Sequence, residues 1–143
     1  MLILSNLIIY NHEKNKKSMF ILTDFTPRHS FGITTLNDKI YILGGLMENS
    51  DTTDAVKIYD PKRNTWTTGN PLPTPRHSLG VVTVDNKIYA FGGASNSGET
   101  NVLEIYDAET DRWTKGNVMP YAKETFGITT LNDKIYLIGG YSR

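Results

Sequence analysis

The chain has 143 residues, enough for one domain with a real core rather than two. Fifteen Lys and Arg balance fifteen Asp and Glu, so the formal charge is zero, which argues against a nucleic-acid binder with its one-sided basic excess. The absence of cysteine excludes disulfides, thiolate zinc sites and cysteine nucleophiles.

Met1–Tyr10 is apolar, but no basic region leads it and no small-residue cleavage site follows. The run is too short to cross a bilayer as a helix, so it reads as a β-strand. Leu7-Ile-Ile-Tyr10-Asn11 resembles Val56-Lys-Ile-Tyr59-Asp60 further on, and Ser18–Thr23 reads as the strand beside it. Lys14, Lys16 and Lys17 stand beside Glu13 as a solvated turn. No Asn-x-Ser/Thr site occurs, so nothing points to the secretory route, and a cytoplasmic protein without membrane attachment is expected.

From Thr26 onward the pattern becomes regular. A strand is predicted over about 30–36, where Thr, Ile and Phe suit a pleat. Asn37-Asp38 makes a tight turn, because both residues tolerate the left-handed conformation. Lys39–Leu43 is nearly all apolar, as expected of a strand covered on both faces. Gly44-Gly45 and a loop over 46–54 follow, then a third strand at Val56–Tyr59. Asp60–Asn64 forms the next turn, and the fourth strand carries Trp66. Pro71, Pro73 and Pro75 then interrupt the pattern.

The same series returns. Thr26-Pro-Arg-His-Ser-Phe-Gly32 recurs as Thr74-Pro-Arg-His-Ser-Leu-Gly80, and Phe31–Tyr41 is identical, residue for residue, to Phe126–Tyr136. Gly44-Gly45 recurs as Gly92-Gly93 and Gly139-Gly140, Tyr59 as Tyr106 and Trp66 as Trp113. The period is 48 between Gly44 and Gly92 but 47 between Tyr59 and Tyr106. The lost residue therefore lies in Leu46–Asp54 against Ala94–Asn101, a segment whose tolerance of length change marks an exposed loop.

Four short strands per repeat, each with a glycine pair and an aromatic, are the mark of a propeller blade. The chain resembles the kelch family over residues 25–140 through Gly44-Gly45, Tyr59, Trp66, Gly92-Gly93, Tyr106 and Trp113, with only the glycine pair in the last copy. The expected fold is all-β, a kelch-type β-propeller fragment of four-stranded antiparallel blades. The expected division is a degenerate half blade at 1–24, blades at 25–73 and 74–120, and a half blade at 121–143.

Strand direction sorts the connections. The loop after the second strand and the link from the fourth strand to the next repeat share one face of the disc; the two short turns share the other. Loops on a rigid scaffold carry recognition, so Leu46, Met47, Glu48, Asn49, Ala94, Ser95 and Asn96 are expected to meet a protein partner. In kelch families that recruit substrates to ubiquitin ligases this face receives the partner. The resemblance adds Ser30, Ser78 and Thr125, two residues before each first-strand glycine. No BTB-like helical region is present in this sequence, so it does not itself support a ligase-adaptor role.

Other constellations read as structural. His29 and His77 occupy one repeat position, filled by Glu124 in the third copy; two ligands without a third favour a hydrogen-bonding role over a metal. Arg28 and Arg76 could grip an anionic partner, but Lys123 replaces them in the third copy, which favours closure of a blade onto carboxylates or carbonyls. Trp66 and Trp113 are expected in the core between blades, where truncation costs roughly 3–5 kcal/mol. No catalytic constellation, metal or cofactor is expected. The alternatives are a sugar-binding or sialic-acid-epimerase-like propeller enzyme, and a truncated propeller without a function of its own. The half blades are complementary, so two arrangements stay open: a homodimer closing a six-bladed ring, or a piece of a longer chain.

Overall fold

A computed structural model describes the strands at 6–11 and 16–21 and residues 26–142. β1 (Asn6–Asn11) and β2 (Lys16–Ile21) pair antiparallel as a sheet of their own. The next repeat holds β3 (Arg28–His29), β4 (Gly32–Leu36), β5 (Lys39–Leu43), β6 (Leu46–Met47), β7 (Val56–Asp60) and β8 (Thr65–Gly69). The third holds β9 (Gly80–Val84), β10 (Lys87–Phe91), β11 (Ala94–Ser95), β12 (Gly98–Glu99), β13 (Leu103–Asp107) and β14 (Arg112–Lys115). β15 (Gly127–Leu131) and β16 (Lys134–Ile138) complete the series. The main sheets are β4-β5-β7-β8 and β9-β10-β13-β14, each antiparallel and four-stranded, while β15-β16 stands as a pair.

The tight turns form as the sequence predicts. Asn37 and Asp38 take φ of 51° and 59°, and Asp85-Asn86 and Asn132-Asp133 repeat the pair of positive values. This is the primed hairpin geometry, whose twist matches that of the strands it joins.

The core lies between the two four-stranded sheets. Tyr41 and Leu43 on β5 belong to one buried cluster with Leu79, Val81, Ile88 and Tyr106 of the following blade. Leu43 and Ile88 are wholly buried, which is why the second strand of each repeat reads as an unbroken apolar run. The glycine pair is explained by the same contact. A Cβ on Gly44 would collide with the carbonyl oxygen of Arg76, and one on Gly92 with that of Lys123. Gly45 N–H donates to the Arg76 carbonyl at 3.0 Å, and Gly93 N–H to that of Lys123 at 2.8 Å. Each pair thus lets one blade's main chain reach the next, and only a residue without a side chain fits.

Two expectations change. Trp66 and Trp113 are half-buried rather than enclosed. They tilt against the buried Tyr59 and Tyr106, with ring centroids 5.0 Å and 5.3 Å apart. The fourth strand is the outermost of its sheet, so one side of each indole meets water. Trp113 still links blades, because its Nε1–H donates to the Asn70 carbonyl of the preceding repeat at 3.1 Å. The segment over 46–54 also begins as structure, since Leu46 and Met47 pair with His29 and Arg28. Its counterpart folds as a small hairpin, Ala94 against Glu99 and Ser95 against Gly98.

Candidate functional site

The connections divide between two faces. On one, Leu72 N–H donates to the Asp54 carbonyl and Met119 N–H to that of Asn101, both at 2.8 Å, tying each link between blades to the loop beside it. On the other, the two kinds of short turn meet, as in the exposed Lys62–Asp38 pair at 3.5 Å.

Both arginines of the repeat make hydrogen bonds within the chain. Arg76 is fully buried and donates to the carbonyls of Gly92 (2.7 Å), Ala90 (3.1 Å) and Val102 (3.2 Å), and to Glu104 at 2.9 Å. Burial pulls its guanidinium below the ordinary value, and the Glu104 carboxylate pulls it back. Arg28 is also buried and reaches the carbonyls of Gly44 (3.1 Å) and Ala55 (3.3 Å). Lys123 performs the equivalent contact, Nζ to the Gly139 carbonyl at 2.6 Å. All three cations hold the bend after the second strand.

Ser30, Ser78 and Thr125 form a ladder from blade to blade. Each has φ between 53° and 56°. Ser78 N–H donates to the Ser30 carbonyl at 2.6 Å, and Thr125 N–H to the Ser78 carbonyl at 3.0 Å. His29 Nδ1 and His77 Nδ1 each lie 2.9 Å from the hydroxyl of the serine that follows. Among the described residues no group of three or more His, Cys, Asp or Glu could hold a metal.

Two depressions open at the loops. The first, of about 350 Å³, is lined by Met47, Glu48 and Asn49 with Thr26, Pro27 and Asp51–Thr53. The second, of about 440 Å³, is lined by His77, Ala94–Glu99 and Glu124. Thr52 Oγ1 stands 3.4 Å from Asn96 Oδ1, so the two loops touch. A larger cleft of about 740 Å³ lies on the opposite face among Asn37, Asp38, Lys39, Pro61, Lys62 and Asn86. Its lining is set by turn geometry that repeats from blade to blade, so its size says little about specific recognition.

The sequence-predicted residues share this face but differ in access. Ser30, Glu48, Asn49, Asn96 and Thr125 are exposed, whereas Leu46, Met47, Ser78 and Ser95 are half-buried. Ala94 is buried, because its main chain bridges to His77 with both hydrogen bonds at 2.9 Å, and it offers a partner no side-chain surface. Sequence reasoning did not place Asp51, His77, Glu99 and Glu124 here. His77 and Glu124 share one repeat position, and that equivalence was the available signal.

The sequence matches the family model described as the KLHDC2/KLHL20/DRC7 Kelch-repeats domain over residues 2–143. Kelch-like protein 24 of Rattus norvegicus and of Homo sapiens are each 42% identical over 43 residues, 30% of this chain. That match spans 7% of the length of those relatives. Among solved structures, YjhT superposes with a TM-score of 0.83 over 96% of this chain and 46% of that one. At 15% identity the likeness is one of fold.

Proposed function

The chain belongs to the kelch-repeat family, and on that premise we propose that it is a non-catalytic protein-interaction module whose partner docks on the face bearing the loops 46–54 and 94–101. One observation carries the reading: the segments that differ between repeats surround two adjoining depressions, while the opposite face is built from repeated turns. Met47, Glu48, Asn49, Ser95 and Asn96 supply the side chains that select, while Ser30, Ser78 and Thr125 tie the blades together through their main chain.

The chemistry of the face narrows the partner. Arg28 and Arg76 are withdrawn onto main-chain carbonyls, whereas Glu48, Asp51, Glu99 and Glu124 line the depressions. The partner surface is accordingly one that carries Lys or Arg, and its binding should weaken as salt rises. Affinity capture from a lysate tests the reading with three proteins: the wild type, Glu48→Ala/Asn49→Ala/Ser95→Ala/Asn96→Ala, and Lys62→Ala/Arg63→Ala. A protein retained by the first and third but at least about tenfold depleted with the second is expected. Equal loss with the turn-face variant, at unchanged melting temperature, overturns it.

A further inference from the structure

We infer that the second depression of the loop face, lined by His77, Glu99 and Glu124, is a socket for one arginine side chain of the partner. The inference rests on the loop face being the docking surface; it adds which group of the partner enters, and where.

The socket is assembled from three segments of two repeats. The main chain of Ala94 bridges to His77 on one side and pairs with Glu99 on the other, so these two residues flank it. Glu124 occupies the His77 position of the following repeat. It is held beside them because Gly93 N–H donates to the Lys123 carbonyl at 2.8 Å and Thr125 N–H to the Ser78 carbonyl at 3.0 Å. The rim is tied as well: Ser95 Oγ lies 2.8 Å from Ser97 Oγ and accepts from Ser97 N–H at 3.2 Å. These ties form the depression before a partner arrives, which lowers the ordering cost of binding.

The charge inside has one sign. Glu99 and Glu124 line the depression, and no Lys or Arg stands among its lining residues. The cations beside it in sequence point elsewhere, Arg76 to the Gly92 carbonyl and Glu104, Lys123 to the Gly139 carbonyl. Among the described residues no hydrogen bond or ion pair engages the Glu124 carboxylate. Both glutamates are half-buried, whereas Glu48 and Asp51 of the first depression are exposed and Asp51 already accepts from Asn49 at 2.7 Å. A carboxylate partly withdrawn from water attracts a cation more strongly than an exposed one, so the second depression is the charged anchor.

The donor set selects the kind of cation. No three acidic or imidazole groups among the described residues converge as a metal requires, so the cation brings its own hydrogen-bond donors. A guanidinium carries five in a planar fork, enough to meet two carboxylates at once, and it stacks on flat rings such as an imidazole. An ammonium has three donors and no plane to stack. Ser95, Asn96 and Ser97 add hydroxyl and amide oxygens at the rim.

The probe is Nα-acetyl-arginine methylamide, followed through backbone amide shifts of the nitrogen-15-labelled chain at pH 8, where imidazoles are neutral. Saturable shifts at Ser95–Glu99 and Glu124 are expected, with a dissociation constant of about 1 mM. The citrulline analogue, of the same shape without the charge, should give none. Glu124→Gln should weaken binding about fivefold and Glu99→Gln/Glu124→Gln should abolish it at unchanged melting temperature, while Glu48→Gln leaves it as it is. Absence of shifts in the wild type, equal binding of the citrulline analogue, or shifts that survive in the double variant overturns the socket. The probe needs no partner, so the socket can fail while lysate capture still maps to the loop face, and capture can fail while the probe still binds.

Discussion

Arg76 and Glu104 form an ion pair at 2.9 Å with both side chains wholly withdrawn from water. Glu104 accepts a second hydrogen bond from Thr74 Oγ1 at 2.7 Å, and Arg76 donates to three main-chain carbonyls, so most of the desolvation cost of the two charges is offset. Of the two four-stranded sheets described, one carries the pair. Glu104 stands opposite Ala90, and the matching position opposite Ile42 is Lys57, which turns outward to Thr68 Oγ1 at 2.9 Å.

Removing one partner leaves the other charge buried. Glu104→Ala should therefore cost about 3–5 kcal/mol, and Glu104→Lys should prevent folding. The joint change Arg76→Met/Glu104→Leu removes both charges and should recover most of the loss, giving a large coupling in a double-mutant cycle. Urea unfolding of the four proteins measures it. A cost below about 1 kcal/mol for Glu104→Ala contradicts the arrangement.

Much of this was legible in the residues. The glycine pairs, the Asn-Asp turns and the recurring Tyr and Trp fix strand order, because each answers a backbone or packing need that repeats. The blade-specific features were not legible. Arg28 and Arg76 reach equivalent carbonyls, and that Arg76 also meets Glu104 depends on one position, Glu104 against Lys57, which a repeat comparison treats as noise. Ala94 was expected to meet a partner, yet the bridge to His77 buries it. The tryptophans were expected inside because the repeat keeps them, but position on an outer strand leaves them half-exposed.

Trp113 separates packing from hydrogen bonding. Its ring lies on Tyr106 and its N–H reaches the Asn70 carbonyl at 3.1 Å, an acceptor in the preceding repeat. Trp113→Phe keeps most of the ring contact and loses the bond, so a loss of about 0.5–1 kcal/mol is expected. Trp113→Ala should cost roughly 2–3 kcal/mol, less than truncation of an enclosed tryptophan. Equal costs for the two variants, measured by urea unfolding, would show that the link between blades carries the whole effect.

Tyr106 makes the fold sensitive to alkali. Its hydroxyl donates to Asp111 Oδ1 at 2.7 Å, and its ring lies 6.1 Å from that of Tyr41. Burial, then the hydrogen bond and charge of Asp111, push the Tyr106 hydroxyl well above the ordinary phenol value; burial and Asp111 raise Tyr41 as well. In the unfolded chain a tyrosine ionises near pH 10. A group whose folded value is raised stabilises the native state below the unfolded value and loses that contribution as pH climbs, because the unfolded state sheds its proton first. Stability should therefore hold through pH 9 and then fall with a slope of about 1.4 kcal/mol per pH unit for each such tyrosine. Tyr106→Phe removes one of them, so it should unfold more easily at pH 7, where the bond to Asp111 is missed, yet lose less stability between pH 10 and pH 11.5. Denaturant titrations across that range, followed beside phenolate absorbance, measure both halves. Identical slopes in the wild type and Tyr106→Phe would mean that Tyr106 ionises as freely in the native blade as in the unfolded chain, and that its enclosure between Tyr41, Trp113 and Asp111 does not survive in solution.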